Sequence, residues 1–328
     1  MPPKISVLLP AYNSEATIEE SLASIQSQTI KDLQIIVIDD GSTDSTHEIL
    51  KRMASLDSRI ALRSRANKGL IDTLNEAVSL AEGDWSARMD ADDIADPRRL
   101  EKQLQYAQET GASVLGSYHR CFGDSDALFK PSVTHADIVH KMHLWTNSFS
   151  HPSLMVKTEL LKTCPYPKDA EHAEDFALWL QLARKAKTDK NIVFGNVAEV
   201  LLNYRTHAQQ VSKRFESVQR ETVKKQVLGA ISELDDNFSA DELDLHFELW
   251  VSRCIETISA AEWARYSDFL ALLAERLKEE YGTSDAVFRY WRRLWKKLPT
   301  STKKQAAVPD LAAMGASLAS RAKLRLGL

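Results

Sequence analysis

An α/β fold with a helical extension is predicted by three observations. Short apolar runs alternate with helix-like segments over the first 120 residues, acidic turns follow two of those runs directly, and helical patterning is nearly continuous from about residue 213 to residue 298. Ile5 to Leu9 reads as the first strand, and a helix is expected from about Ala16 to Gln28. Gln34 to Ile38 is the second strand, followed by a helix through Met53 for which Ser42 or Thr43 is the expected cap. Ile60 to Arg63 is a short third strand. Leu70, Leu74, Ala77, Val78 and Ala81 recur at helical spacing over 69–82. Trp85 to Met89 is the fourth strand, Pro97 is placed to open a helix, and Ser113 to Gly116 is the fifth strand. Beyond it the firmest pieces are His151 to Val156, a helix over 173–187 and a strand over 197–204. A boundary is expected near Ser212, giving an α/β domain over 1–212, a helical domain over 213–298 and a basic linker and amphipathic tail over 299–328.

Composition narrows the function. The 328 residues are 44% hydrophobic and 27% charged, enough for a sizeable core, and the formal charge of −4 gives no nucleic-acid footprint over the chain as a whole. The positive charge is segregated instead, with ten basic residues and one acidic residue in 288–328. Cys121, Cys164 and Cys254 are odd in number and far apart, which disfavours a disulfide framework or a zinc knuckle and suits a reducing cytosol. The five-residue apolar run before Pro10 is too short for a signal peptide, and no stretch of about 18 apolar residues occurs. A cytoplasmic protein is expected, peripheral at the membrane if the tail binds lipid.

In an open α/β sheet the ligand crevice lies at the carboxyl ends of the strands. Here Asp39 and Asp40 follow the second strand, and Asp90, Asp92 and Asp93 follow the fourth. Carboxylates gathered at one end repel one another unless a cation or donor groups occupy the site. Asp90 and Asp92, two apart in an extended segment, are placed to face one hard cation such as Mg²⁺ or Mn²⁺; a solvated turn with Asp93 or Asp96 as helix cap is the other reading. The first strand ends in Pro10, Ala11, Tyr12 and Asn13 without a glycine-rich dinucleotide turn, so a Rossmann dehydrogenase is disfavoured.

Taken together, strand-PAYN, strand-DDGSTD, NKG before a helix and RMDADD-x-x-x-P-x-R-L, in that order over 100 residues, resemble the family 2 glycosyltransferases of GT-A fold. The likeness is strong over 4–120 and extends more loosely to about residue 212 through HPSLMV, AEDFALWLQL and YRTHAQQVS. It implies a mixed Rossmann-like sheet flanked by helices and an inverting, non-processive enzyme, because the QxxRW motif of processive synthases is absent. It implies that Pro10, Tyr12, Asn13, Asp39 and Asp40 hold the donor's nucleoside, with Lys68 in a loop facing it, and that Asp90, Asp92 and Arg205 attend the ribose and diphosphate. A divalent cation, Mg²⁺ or Mn²⁺, would be held by Asp92 and Asp93, with His207 as a further ligand. Asp175 is the implied base and Glu174 its neighbour that orients the acceptor, while His151 is an acceptor-side candidate. The implied partners are a nucleotide-sugar donor, UDP-linked on the family's precedent, and a glycan or lipid-linked acceptor in bacterial surface polysaccharide or lipopolysaccharide assembly.

A sugar nucleotidyltransferase is the rival enzyme class, yet it needs a glycine-rich loop with a basic pair after the first strand, and PAYNSEAT contains neither. An inactive nucleotide-sugar-binding protein of the same fold is the other rival, and the presence of both acidic motifs speaks against it. Finally, Phe288, Trp291, Trp295 and Leu298 recur at helical spacing among Arg289, Arg292, Arg293, Lys296 and Lys297. That pattern suits either attachment of 288–328 to an anionic membrane surface or an aromatic stripe packed as core.

Overall fold

The apolar run that opens the chain extends in the structure, a computed structural model describing residues 4–207, 215–252, 255 and 257–306, into strand β1, Ile5–Ala11. It pairs in parallel with β2 (Leu33–Asp39) on one side and β4 (Trp85–Arg88) on the other, and β2 pairs in parallel with β3 (Ile60–Ser64). Ile5, Val7, Leu9, Ile35 and Val37 face a core shared with Ile18, Leu22 and Ile25 of α1 (Ile18–Gln26) and with Leu50 of α2 (Thr46–Leu56). Leu8, Ile36 and Ile38 are equally buried on the opposite face, so these strands read as unbroken apolar runs rather than alternating ones. Helix α3 (Leu70–Leu80) packs against β1 and β2.

Register brings the strand ends together. Ala11 lies beside Asp39 and Leu8 beside Arg88, so the residues that follow each strand emerge at one edge of the sheet. Pro10 is tolerated inside β1 because its missing N–H points toward β4, the side on which Leu8 accepts from the Met89 N–H, and β4 has ended by Arg88.

Past β4 the sheet becomes mixed. The order β3-β2-β1-β4-β8-β6-β9-β5 is completed by β5 (Ile94–Ala95), β6 (Val114–Gly123), β8 (Met155–Lys157) and β9 (Phe194–Thr206), with β7 (Leu128–Phe129) paired to β6. The pairs β4–β8, β6–β8 and β5–β9 are antiparallel, and β6–β9 is parallel. Helix α4 (Arg99–Thr110) follows β5, a 3₁₀ turn over His151–Ser153 precedes β8, α6 (Thr158–Thr163) follows it, and α7 (Glu174–Ala186) leads to β9. Sequence patterning found the start of β6 and most of β9, but not the outer half of β6, where large apolar residues thin out.

Residues Met1–Thr134 and Phe149–Thr222 form one compact unit, and His135–Ser148 with Val223–Leu328 form a second. The expected boundary near Ser212 therefore misses an excursion: α5 (His135–Met142) lies inside the span assigned to the catalytic domain but belongs to the second unit. There it packs on α10 (Ala260–Tyr281) and α11 (Ala286–Lys297), and α8 (Glu216–Ser232) and α9 (Ala240–Ser252) precede them. Trp263, Tyr266, Leu270, Leu273, Ala274, Leu277 and Tyr281 form the buried face of α10 at three- and four-residue spacing. Its start is a capping box in which Ser259 and Glu262 each accept from the other's backbone N–H. Thr300–Gln305, expected as linker, is a short helix, α12, with no buried residue. The rest of the tail, 307–328, lies outside the described residues.

The aromatic stripe of α11 is core. Val287, Phe288, Tyr290, Trp291, Leu294 and Leu298 are buried, Trp291 stacks on Trp295 with ring centroids 5.2 Å apart, and its indole N–H donates to Ser267 Oγ at 2.9 Å. Insertion of this stripe into a membrane is excluded by its packing, because the apolar side chains are already used. The basic residues remain outside, with Arg289, Arg293, Lys296 and Lys297 exposed.

Candidate active site

Two loops at the sheet edge are clasped to each other. The Asn13 N–H donates to Ser42 Oγ at 3.0 Å, the Thr43 N–H to Asn13 Oδ1 at 2.8 Å, the Ser14 N–H to Thr46 Oγ1 at 2.7 Å and the Ser45 N–H to Glu15 Oε2 at 2.9 Å. Asn13 takes a left-handed φ of 47°, which asparagine tolerates better than most residues. Ser42 and Thr43, expected as helix caps, instead tie these loops together, and α2 begins at Thr46. Tyr12 stands 51% exposed at the loop tip, free to meet a flat ligand. Gly41 at φ 78° is required there: a Cβ would lie 2.7 Å from the Asn67 backbone nitrogen.

Asp39 is buried and accepts from the Ser42 N–H, from Ser64 Oγ at 3.0 Å and from His47 Nδ1 at 3.1 Å. Burial pushes its carboxyl up, but these hydrogen bonds outweigh it and hold the group below the usual carboxylate range. Asp40 pairs with Arg65 and accepts from the backbone N–H groups of Lys68 and Gly69, each at 2.9 Å. Asp40 thus fixes the NKG turn, leaving the Lys68 side chain exposed beside it. Arg65, which also reaches Glu76 and Thr73 Oγ1, was missed in the sequence because it precedes the motif in an otherwise polar loop.

After β4, carboxylate oxygens of Asp90, Asp92 and Asp93 lie within 4.8 Å of one another. Asp93 is fully buried; its Oδ1 accepts from the Arg205 N–H at 2.8 Å, and its Oδ2 has no hydrogen-bond partner among the described residues. Burial and the neighbouring Asp90 raise the Asp92 carboxyl, and the same causes, with Asp92 added, raise that of Asp93 well above the usual range. A divalent cation fits: it would relieve the mutual repulsion and take up the unpartnered oxygen. His207 lies with Nε2 3.5 Å from Asp92 Oδ2, on the same side. Arg205 is brought in by the antiparallel pairing of β5 with β9; its Nε donates to the Asp92 carbonyl at 2.8 Å and its terminal nitrogen reaches Glu20 at 2.6 Å.

The second acidic group opens α7. Glu174 is buried and pushed up to about 7, by burial first and then by Asp175. Asp175, half-buried, is pushed up to about 6 by burial, against a 2.6 Å hydrogen bond from the Phe176 N–H and the charge of Arg88. His151 is almost fully buried with Nε2 3.0 Å from Tyr166 Oη, and burial, with Arg88 next, pushes its imidazole well below the ordinary range, so it is neutral. Two buried arginines lie behind the triad: Arg88 pairs with Asp90, and Arg99 donates to the Arg88 carbonyl at 2.8 Å. Sequence reasoning missed both. Their one signal was a charge at the end of a strand and another on the buried face of a helix.

Residues 6–163 match the family model described as glycosyl transferase family 2. An uncharacterized glycosyltransferase of Haemophilus influenzae is 34% identical over 238 residues, 68% of this chain and 72% of its own length. The O-antigen biosynthesis glycosyltransferase WbnJ of Escherichia coli is 30% identical over 64% of this chain and 82% of its own. Among solved structures, S. aureus TarS 1–349 in complex with UDP-GlcNAc gives a TM-score of 0.57 at 19% identity, covering 99% of this chain and 92% of that one. The mannosyltransferase PcManGT from Pyrobaculum calidifontis, in complex with GDP-Man and Mn²⁺, gives 0.54 at 16% identity, covering 98% and 87%. These two likenesses establish a GT-A type fold, and the sequence relatives establish the rest: the chain belongs to glycosyl transferase family 2 and is a glycosyltransferase.

Proposed function

We propose that the enzyme transfers a single sugar from a nucleoside-diphosphate sugar, UDP-linked in the first instance, to a hydroxyl of a glycan or lipid-linked acceptor in surface polysaccharide assembly, with inversion at the anomeric carbon. The observation that carries this reading is the pairing of two acidic groups with different chemistry. Three carboxylates crowd where a cation would relieve them, and a separate pair has proton affinities raised toward neutrality. The names of TarS, PcManGT and WbnJ, with their UDP-GlcNAc, GDP-Man and O-antigen, support the donor class and the setting.

In this mechanism the acceptor oxygen attacks the anomeric carbon as the bond to the diphosphate oxygen breaks. Asp175, ionised, takes the proton of the attacking hydroxyl, and its raised affinity suits a base working near neutral pH. Glu174, the more readily protonated partner, orients that hydroxyl. Tyr12, the clasped loops, Asp39 and the turn held by Asp40 hold the nucleoside, with Pro10, Asn13 and Lys68 shaping its site. Arg205 faces the diphosphate with Asp90. Asp92, Asp93 and His207 would hold Mg²⁺ or Mn²⁺, which supplies charge compensation to the departing diphosphate.

A screen of nucleotide sugars, reading released nucleoside diphosphate with Mn²⁺ present and after chelation, tests the reading. Turnover of one donor class that stops in excess EDTA and returns with Mn²⁺ is expected. Release from no nucleotide sugar, or full turnover without bound metal, would count against it.

We further propose that the exposed basic face of α11, rather than its apolar stripe, brings the enzyme to an anionic membrane surface where a lipid-linked acceptor resides. Arg293, Lys296 and Lys297 are exposed on it, and each basic side chain near such a surface adds about 1 kcal/mol of attraction.

A further inference from the structure

The segment that delivers Glu174 and Asp175 to the start of α7 is fixed at its own start. Both backbone groups of Tyr166 are taken by the Asn75 side-chain amide, the N–H by Oδ1 and the carbonyl by Nδ2, each at 2.9 Å, and the Tyr166 hydroxyl lies 3.0 Å from His151 Nε2. From there the chain turns over two buried alanines, with the Ala170 N–H donating to the Pro167 carbonyl at 3.2 Å and the Ala173 N–H to the Ala170 carbonyl at 3.0 Å. Ala173 is the N-cap of α7, its carbonyl taking the first helical bond from the Ala177 N–H at 3.0 Å. The residue before it, His172, has a left-handed φ of 65°. Side chains other than glycine rarely adopt that conformation, and it persists only where the surroundings over-determine it.

Two contacts from the start of α8 hold His172 in place. Its ring stacks on Phe215 with centroids 3.9 Å and planes 11° apart, and its carbonyl accepts from Gln219 Nε2 at 2.9 Å. Phe215 immediately precedes α8, and Gln219 lies one turn on, its N–H donating to the Phe215 carbonyl at 3.0 Å. Residues four apart on a helix share a face, so one turn of α8 grips both the ring and the backbone of a single residue. His172, Phe215 and Gln219 belong to the same compact unit as Asp175.

We propose that His172 is a positioning residue for transfer: held left-handed by Phe215 and Gln219, it sets the direction in which α7 starts and so the place where Asp175 meets the acceptor hydroxyl. The inference rests on the assignment of Asp175 as base. Its physical content is that Asp175 stands three residues beyond the gripped backbone, in the first turn of the helix, and is carried wherever that turn points. A displacement of about 1 Å at a reacting group is enough to cost up to about a hundredfold in rate.

The test is kcat and donor KM for nucleoside-diphosphate release, at saturating Mn²⁺, from the nucleotide sugar that the screen above selects. Phe215→Leu removes the ring beneath His172, and His172→Asn removes the imidazole while keeping a residue that tolerates the left-handed backbone. Each should lower kcat about tenfold with donor KM within about twofold, and Phe215→Tyr, which restores a ring, should keep kcat within about twofold. Unchanged kcat in both variants, or kcat and donor affinity lost together, would overturn the proposal. Should Phe215→Leu prove insoluble, Gln219→Met, which removes only the amide donor to the His172 carbonyl, makes the same comparison. The sharper readout is a double-mutant cycle. On an Asp175→Asn background there is no base left to place, so Phe215→Leu or Gln219→Met should cost little more; a second tenfold fall there would make the contact a general support of the fold and overturn the positioning role. Asp175→Asn alone separates the two readings. If it keeps near wild-type kcat, the base assignment falls and the proposal with it; if it is nearly inactive while Phe215→Leu and His172→Asn turn over normally, only the role of His172 falls.

Discussion

Replacing Asp175 by asparagine removes a proton acceptor while keeping size and hydrogen-bonding shape, so kcat should fall by about 10²-fold or more with donor affinity nearly kept. The same change should stabilise the protein. The folded state raises this carboxyl to about 6, so the stability it lends is full below the unfolded value near 4 and is lost as pH rises through about 6. At pH 8 the wild type therefore carries a half-buried charge that Asp175→Asn does not, and the variant should be more stable by a margin on the order of 1–3 kcal/mol. Calorimetry at pH 5 and pH 8 checks the sign, since the gain should shrink at the lower pH. Asp40→Ala should fail differently: Arg65 keeps Glu76, but the Lys68–Gly69 turn loses its acceptor, so donor KM rises several-fold with kcat little changed. Equal losses of kcat in both variants would show that the two acids do not divide the work.

At the scale of elements, the parts readable in the sequence were those set by local physics. The β1 and β2 runs and α3 were legible because continuous burial and helical spacing leave a pattern in the order of residues. The clustering of Asp90, Asp92 and Asp93 was legible because they follow a buried strand directly, whereas the residues alone read equally as a cation site or as a solvated turn and helix cap. What hid was whatever depends on a partner distant in the chain. Ser42 looks like a cap until Asn13 is brought beside it, Arg99 looks like a stray charge on a helix until the Arg88 and Leu154 carbonyls meet it, and the stripe of α11 looks amphipathic until Trp263 covers it. That last packing has a measurable size. Trp291→Ala removes a fully buried indole and should destabilise the helical unit by about 3–5 kcal/mol. Ser259→Ala removes one half of a capping box at α10 and should cost only about 1 kcal/mol. Urea titrations followed by tryptophan fluorescence should rank them in that order, and a mild Trp291→Ala would return the stripe to the membrane reading.

For the whole molecule, no described helix is long and apolar enough to cross a membrane. Because α11 is core, charge substitution is the clean experiment and truncation is not. Arg293, Lys296 and Lys297 changed together to glutamine should weaken co-sedimentation with anionic vesicles by about 10²-fold at low salt and leave binding to neutral vesicles as weak as before. Recovery in the supernatant for both proteins would remove the membrane from the account. The excursion of His135–Ser148 into the second unit bears on synthesis rather than catalysis. Ile138, Val139 and Met142 of α5 find their cover on α10, whose residues are made about 120 positions later. On a translating ribosome that is a delay on the order of ten seconds, during which a greasy helix protrudes from a half-made enzyme. Yield of soluble protein should accordingly depend on chaperone supply and growth temperature more steeply than the finished fold's melting point would suggest.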